Sequence, residues 1–471
     1  MNNKTGKKWS VFFLVASAVF MSTLDSSIVN VALPYIMEDL HTRVEVIQWV
    51  VAVYLLTVSS LLLTFGRLSD INGRKVIYTS GFVIFTAGSL LCSMAGSPAF
   101  LIASRAVQGM GASMLMACSP ALVVDMFEPG ERGRALGMIG TVVAAGLTAG
   151  PVAGGFLLDL FSWRAIFYIN IPIGTAATVA GLYVLKGTGA EKGTGEPLDV
   201  KGGFLLILFL GSLLMYLTHI REWGPAGPLS ILFLVLSAAG CYLFIKVEAQ
   251  AHYPLFPPEL LKIRLFTFSI ISAVLVFAAL FIIIFMMPFF LAHPYGLSAS
   301  STGLVMVTPF VFLFFISPVA GELYDRIGSR ALCTAGAAML AASLGSLVFI
   351  TPDSHLFSIL WRMALAGIGT SVFISPNNTS AMTSTPVSRR GIASGAVATA
   401  RNFGMVLGVA VAGLIFSGSI SSSLTGGDSL ENYTSRMEPA FMTGFTRTML
   451  AGMLIAVSAT VSSFLRGKER S

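Results

Sequence analysis

The sequence predicts an all-α integral membrane protein, with two six-helix bundles plus an inserted helix pair and fourteen transmembrane helices in all. Three observations carry this reading. Apolar residues make up 55% of the 471 positions and charged residues 11%, the mean hydropathy is +0.83, and the apolar residues fall in repeated runs of about 20, the length at which a helix crosses a bilayer. Positive charge is strongly biased to alternate connecting segments. Several short motifs recur at a nearly constant offset.

Taken in order, the first run covers 9–33. It follows Lys4, Lys7 and Lys8 and has no small-residue cleavage site, so it is expected to be a retained helix and not a leader. The second, 46–66, stops at GRLSDINGRK, Gly66 to Lys75, which is too short and too polar to be anything but a tight turn. Runs at 76–96, 99–124, 134–158 and 164–186 complete a first set of six, residues 1–186. Residues 187–262 read as a linker carrying an inserted pair, 202–219 and 228–247. Its GTGAEKGTGEP segment has the composition of a flexible connector, and YPLFPPELLKIR reads as a surface element. Residues 263–471 hold the second set, 265–291, 299–320, 331–350, 356–381, 391–417 and 441–465, with the longest outside loop near Ser421 to Arg436.

The repeat joins the two sets. Gly66, Leu68, Asp70 and Gly73 recur as Gly321, Leu323, Asp325 and Gly328, offset by 255. Gly109 and Gly111 recur as Gly367 and Gly369, and Arg132-Gly133-x-Ala135-x-Gly137 as Arg390-Gly391-x-Ala393-x-Gly395, both offset by 258. Such matches imply two homologous bundles in parallel orientation. Of the 29 Lys and Arg residues, 21 fall on the segments that share a side with the N-terminus and 8 on the other side or within spans. The split places both termini in the cytoplasm of a cell-membrane protein. The net charge of +7 is spread over short loops, which excludes a nucleic-acid surface. Cys92, Cys118, Cys241 and Cys333 lie within spans without disulfide or metal spacing, and the five histidines form no cluster, so neither a metal nor a cofactor is expected.

Candidate mechanistic residues follow from the cost of polarity in a membrane. Asp25, in LDSSIVNVALP, is expected to face a cavity and to exchange a proton; an Asp that orders its helix through Ser26, Ser27 or Asn30 would have the same sequence. Arg105, in LIASRAVQGMGAS, cannot readily discharge and either biases a nearby acid, binds substrate or clamps the bundle. In the turn, Gly66 and Gly73 relieve crowding, and Asp70 with Arg74 can form a pair. Asp125, at the inner end of the fourth span, is expected to pair with Arg132 or Arg134. In GLTAGPVAGG, Gly146, Gly150 and Gly154 lie on one helix face, with Pro151 as a bend and Gly155 beside them; this serves either a moving interface or static packing. Trp163 and Arg164 read as interfacial anchors, and Phe167 and Tyr168 as facing lipid or substrate. Asn30, Gln108, Asn378 and Arg401 are candidates for a substrate cavity, while Arg362, Asn377 and Asn402 read as packing or cavity groups.

The turn pattern G-x-L-x-D-x-x-G-R-K resembles the signature loop between helices 2 and 3 of the major facilitator superfamily. With LDSSIVNVALP, RAVQGMGAS, GPVAGG and WRAIFYINIPIG, it resembles that superfamily's fourteen-helix drug–proton antiporter family, densely over residues 20–175 and more thinly beyond. The resemblance implies the major facilitator fold and efflux of lipophilic, often cationic, small molecules by alternating access, driven by protons. It implies Asp25 and Arg105 as the proton-coupling acid and its helix 4 arginine. It also implies switching by Gly66, Asp70, Gly73, Arg74, Asp125 and Arg132, and an antiporter motif at Gly150 and Pro151. One departure is that no carboxylate is centred in the six later spans, which lowers the expectation of divalent-cation transport. The partners expected are the substrate, protons and the bilayer, with the chain a monomer. A proton-coupled uptake or amphiphile carrier on the same fold is the alternative. An enzyme or receptor is disfavoured by the lack of a convergent His/Asp/Glu set, nucleophile motif or phosphate loop.

Overall fold

A computed structural model describes residues 2–128, 130–186, 198–251, 254–386, 389–423 and 433–467. The GTGAEKGTGEP connector, the centre of the loop near Ser421 to Arg436, and Lys192, Lys468 and Arg470 lie outside the described residues. Among the described residues, fourteen helices are long and apolar enough to cross a membrane. They are α1 (Gly6–Asp39), α2 (Val44–Asn72), α3 (Arg74–Ser93), α4 (Pro98–Met126), α5 (Arg134–Leu160), α6 (Ala165–Val184), α7 (Val200–Trp223), α8 (Pro228–Gln250), α9 (Arg264–Ala292), α10 (Ala299–Ile327), α11 (Ser329–Leu347), α12 (Leu356–Thr383), α13 (Arg390–Ser419) and α14 (Glu438–Leu465). At 1.5 Å per residue most exceed the roughly 30 Å of a hydrocarbon core. Pro34 does not end α1, which runs on to Asp39. Within α10 the helix is broken at Val307, just before Pro309, which has no N–H to continue the ladder.

The first six helices pack together, as do the last six. The α3–α4, α1–α5 and α2–α4 pairs in one bundle are answered by α11–α12, α9–α13 and α10–α12 in the other. The bundles meet along two seams, α2 against α13 and α5 against α10, which the repeat relates to each other. The helix count is even, so both chain ends lie at one face. There Lys7 Nζ donates to Lys186 O at 2.8 Å, and Arg264 Nη2 donates to Leu465 O at 2.7 Å. We call it the termini face.

The inserted pair is not a separate unit. Leu206 and Leu210 of α7 pack with Leu56 and Leu63 of α2 and with Phe403 of α13, so α7 covers the α2–α13 seam. Helix α8 lies outside α7, its Gly240 against the Phe209 backbone. The surface element Pro258–Lys262 is tied to the termini face. Leu260 is buried with Phe266, Ala381 and Ala393. Glu259 accepts from Arg389 Nη1 at 2.6 Å, and the guanidinium holds its carboxyl below the usual carboxylate range.

Close helix approach depends on a few glycines. A Cβ on Gly88 of α3 would lie 2.6 Å from Gln108 Cα of α4. Gly88→Val should therefore overpack this contact by about 1–3 kcal/mol. A lower thermal midpoint of the purified variant is the expected result; an unchanged midpoint would show that α3 and α4 have room to part.

Candidate functional site

Asp25 and Arg105 meet in the middle of the first bundle. Both are inaccessible to solvent. Arg105 Nη1 donates to Asp25 Oδ2 at 2.5 Å, and Nε to the Val50 carbonyl of α2 at 3.0 Å. Gln108, one turn below on α4, donates through Nε2 to Asp25 Oδ1 at 2.7 Å and to Ser89 Oγ at 2.8 Å, while its Oε1 accepts from Arg105 at 2.5 Å. Asn170 Nδ2, from α6, completes the carboxylate's shell at 3.0 Å. The guanidinium lies 4.0 Å from the Tyr54 ring centroid and 5.8 Å from that of Phe167. Every donor facing the acid is thus supplied by protein. Asn170, Ser89 and Tyr54 were not singled out from the sequence. The only signal for Asn170 is an amide in an otherwise largely apolar stretch, Tyr168 to Pro172. Phe167 faces neither lipid nor substrate, since it is buried against Arg105, whereas Tyr168 is exposed. Trp163 and Arg164 both donate to Asp39, at 2.9 Å and 3.0 Å.

The turn at Gly66 to Lys75 forms a second charged knot. Gly73 sits at φ +90°, as its repeat mate Gly328 does at +80°, a backbone region that favours glycine. That sharp turn sends Arg74 back over α2, where Nη2 donates to Asp70 Oδ1 at 3.1 Å and Nη1 to Asp125 Oδ2. Asp125 therefore pairs with Arg74 and not with Arg132 or Arg134, because the end of α4 lies beside the turn. Arg132 donates instead to the Phe127 carbonyl at 3.1 Å, and Glu131 takes Lys8 at 2.7 Å. Gly66 lies against Ala117 of α4.

The glycines of α5 serve two neighbours. Gly146, Gly150 and Gly154 face α1. A Cβ on Gly150 would lie 3.0 Å from Ile28 N and from Leu24 O, and one on Gly154 would lie 2.8 Å from Ile28 Cγ1. Gly155 faces the other bundle, where a Cβ would lie 2.5 Å from Ala299 O, and Gly303 of α10 answers it, since a Cβ there would lie 3.0 Å from the Pro151 carbonyl carbon. Asp159 accepts from Ser300 N at 3.1 Å just beyond. These contacts close the face opposite the termini. Nearby, His293 Nδ1 is 3.9 Å from Glu38 Oε1; burial pushes this imidazole down to about 4, so at neutral pH it is uncharged and the contact is not an ion pair.

Between the bundles lies a cavity of about 650 Å³. Its walls come from the middle of α1, α2, α9, α10 and α13, from Met116 of α4, and largely from the halves of α5 and α12 nearer the termini face. Asn378 and Arg401 line it, as do Asn402 and Thr370. Asn30 and Gln108 do not. Asn30 turns back to donate to Ser26 O at 2.8 Å, and Gln108 is committed to Asp25. Asp25 itself is screened from the cavity, whose wall here is Ser22, Ser26 and Tyr54. Asn377 bonds to Ser269 O and to Arg466, at 3.2 Å and 2.8 Å, and Arg362 to Ser346 O at 3.0 Å, so both are packing groups. A second, apolar crevice of about 590 Å³ lies along the α5–α10 seam and shares Phe314 with the cavity.

Comparison with known proteins agrees with this arrangement. The family model of the Major Facilitator Superfamily matches residues 15–409. The chain is 35% identical over 430 residues to the riboflavin transporter RibZ of Clostridioides difficile, covering 91% of this chain and 92% of the relative. It is 34% identical over 408 residues to the multidrug resistance protein Stp of Mycobacterium tuberculosis, 86% of this chain and 75% of the relative. Among solved structures, a bacterial homolog of the human lysosomal transporter Spinster, inward-facing and unoccupied, superposes with a TM-score of 0.70 at 16% identity, covering 98% of this chain and 97% of that one. That likeness is one of fold.

Gly150→Leu places a side chain where α5 and α1 touch, an overpacking of about 1–3 kcal/mol. The variant should reach the membrane and fail to transport. Transport at the wild-type rate would show that the α1–α5 contact can open freely.

Proposed function

Because the chain belongs to the Major Facilitator Superfamily, we propose that it works as a proton-coupled efflux antiporter of lipophilic small molecules, set in the cell membrane with both termini in the cytoplasm. The observation that carries this reading is Asp25, a carboxylate enclosed in a transmembrane bundle and held by an arginine. Arg105 keeps its charge under all relevant conditions. A proton arriving on Asp25 removes the negative partner and one acceptor shared by Gln108 and Asn170. The protonated and ionised forms therefore favour different packings of α1, α4 and α6. A ligand or proton shifts a two-state carrier only by its differential affinity for the states, and this acid has such a difference built into its surroundings.

Helix α1 carries the link outward. Thr23 and Ser27 flank Asp25 and press on Gly146 and Gly150 of α5, and α5 meets α10 through Gly155. A change in the tilt of α1 is thus transmitted to the contacts that close the face opposite the termini. The Asp70–Arg74–Asp125 knot ties the α2–α3 turn to the end of α4 at the termini face, and we assign it to switching. The cavity, which extends from mid-depth toward that face, suits loading from the cytoplasm, and the 21-to-8 charge split supports that sidedness. The 34% identity to a multidrug resistance protein supports export.

A second reading, uptake of an aromatic solute on the same fold, is favoured by the relative named as a riboflavin transporter. Gradient direction separates the two. In liposomes holding the purified protein, an antiporter moves solute against the proton flow and a symporter moves it with that flow.

Asp25→Asn should abolish gradient-driven accumulation while downhill exchange persists, and Asp25→Glu should keep part of the activity. Arg105 retains Gln108, Val50 and the Tyr54 ring, so the Asn variant should fold. Accumulation by that variant would move the coupling site elsewhere. Asp70→Asn should slow transport and leave substrate affinity within a few fold; collapse of affinity at an unchanged rate would reassign the turn. For sidedness, a cysteine at position 222 should react from outside intact cells and one at 186 only after permeabilisation. The reverse pattern would invert the topology.

A further inference from the structure

We infer that the central cavity takes aromatic amphiphiles carrying an anionic group, and that Arg401 holds the anion. The inference rests on the carrier reading only in treating this cavity as the substrate's. Among its lining residues there is no aspartate or glutamate, and the one formal charge is the Arg401 guanidinium. That charge has no protein counterpart: no carboxylate, carbonyl or hydroxyl among the described residues accepts from it, and its buried Nε is unpartnered. Its nearest ring, Phe277, is 5.9 Å from Cζ. Asn402, beside it on the cavity wall, is 4% exposed, and its Nδ2 donor is likewise unpartnered.

Other arginines within the helix bundles have acceptors, although Arg466, at the end of α14, shares an unpartnered Nε. Arg105 has Asp25, Gln108 and Val50 O; Arg362 has Ser346 O and Ser358; Arg466 has Asn377. The fold does not require a cation at the Arg401 position either. At the repeat offset of 258 the equivalents of Arg401 and Asn402 are Val143 and Ala144, which line the same cavity from α5. A half-buried guanidinium without a protein acceptor is ready to bind one, and a planar carboxylate or similar anion can accept two of its N–H groups at once. A cationic solute would meet the same charge as repulsion, with no acid in the wall to offset it. The expectation of cationic substrates drawn from the family resemblance is therefore not what this cavity's charge favours. Phe281, Phe310, Phe314 and Met405 supply apolar wall for an aromatic body.

Two dyes on one xanthene scaffold test this: fluorescein, an anion at neutral pH, and rhodamine 123, a cation. Binding to the purified full chain in detergent is read by fluorescence anisotropy with no proton gradient, so failure of the antiport reading would leave the result interpretable. Wild type should bind fluorescein about tenfold or more tightly than rhodamine 123, and Arg401→Gln should lose about tenfold in fluorescein affinity while rhodamine 123 binding holds or improves. Arg401→Lys, which keeps the charge without the planar fork, should fall between. Should the Gln variant not fold, the wild-type preference and the Lys variant still decide. Equal or tighter binding of rhodamine 123 by wild type, no saturable fluorescein binding, or a parallel loss of both dyes in the variants would overturn the inference.

Discussion

The charge pair between Asp25 and Arg105 is the constraint on which the first bundle depends. Either group alone, removed from water at that depth, would be strongly disfavoured. Together they are tolerated because further partners come from several helices: Val50 O from α2, Gln108 on α4 itself with Ser89 of α3 behind it, and Asn170 from α6. These demands fix how α1, α2, α3, α4 and α6 stand to one another. The fifth helix is free of the network and lies against the back of α1 through glycines, which is where a helix able to shift would have to be.

The second bundle repeats the architecture without repeating the chemistry. At the offset of 258, Arg105 corresponds to Met363, and at 255 to 258 Asp25 corresponds to the run from Leu280 to Ile283. All of these are apolar and buried. Helix α9 is the most hydrophobic of the fourteen. The bundle's deep polar contacts, Arg466 to Asn377 and Cys333, lie near the termini face. One half thus encloses its ion pair and presents mainly a neutral wall to the cavity, while the other has an apolar interior at the matching positions and presents Arg401.

The helices, their number and the repeat were legible because a membrane span is a one-dimensional signal: length and apolarity suffice. So was the Gly66 to Lys75 turn, whose ion pair joins residues four apart. Asp25 and Arg105 stood out because a charge inside an apolar run is conspicuous. Their shell did not, since Asn170 and Ser89 are ordinary polar residues whose relevance depends on how helices cross. The same cause misplaced Gln108 and Asn30 in the cavity and gave Asp125 the wrong arginine. A sequence-near partner such as Arg132 was the natural choice, but the chain returns at Arg74. Gly155 was grouped with its neighbours, though it lies about 100° round the helix from Gly154 and so faces a different bundle.

The inserted helices also break the molecule's twofold likeness in a way that reaches the surrounding lipid. Helix α7 covers the α2–α13 seam, with α8 outside it, whereas among the described residues no inserted helix covers the α5–α10 seam, and there the apolar crevice shares Phe314 with the cavity wall. The carrier is therefore one-sided in the plane of the membrane. A compound dissolved among the lipids would meet an apolar crevice on one flank and a pair of helices on the other, so the two sides of the molecule offer it different surfaces.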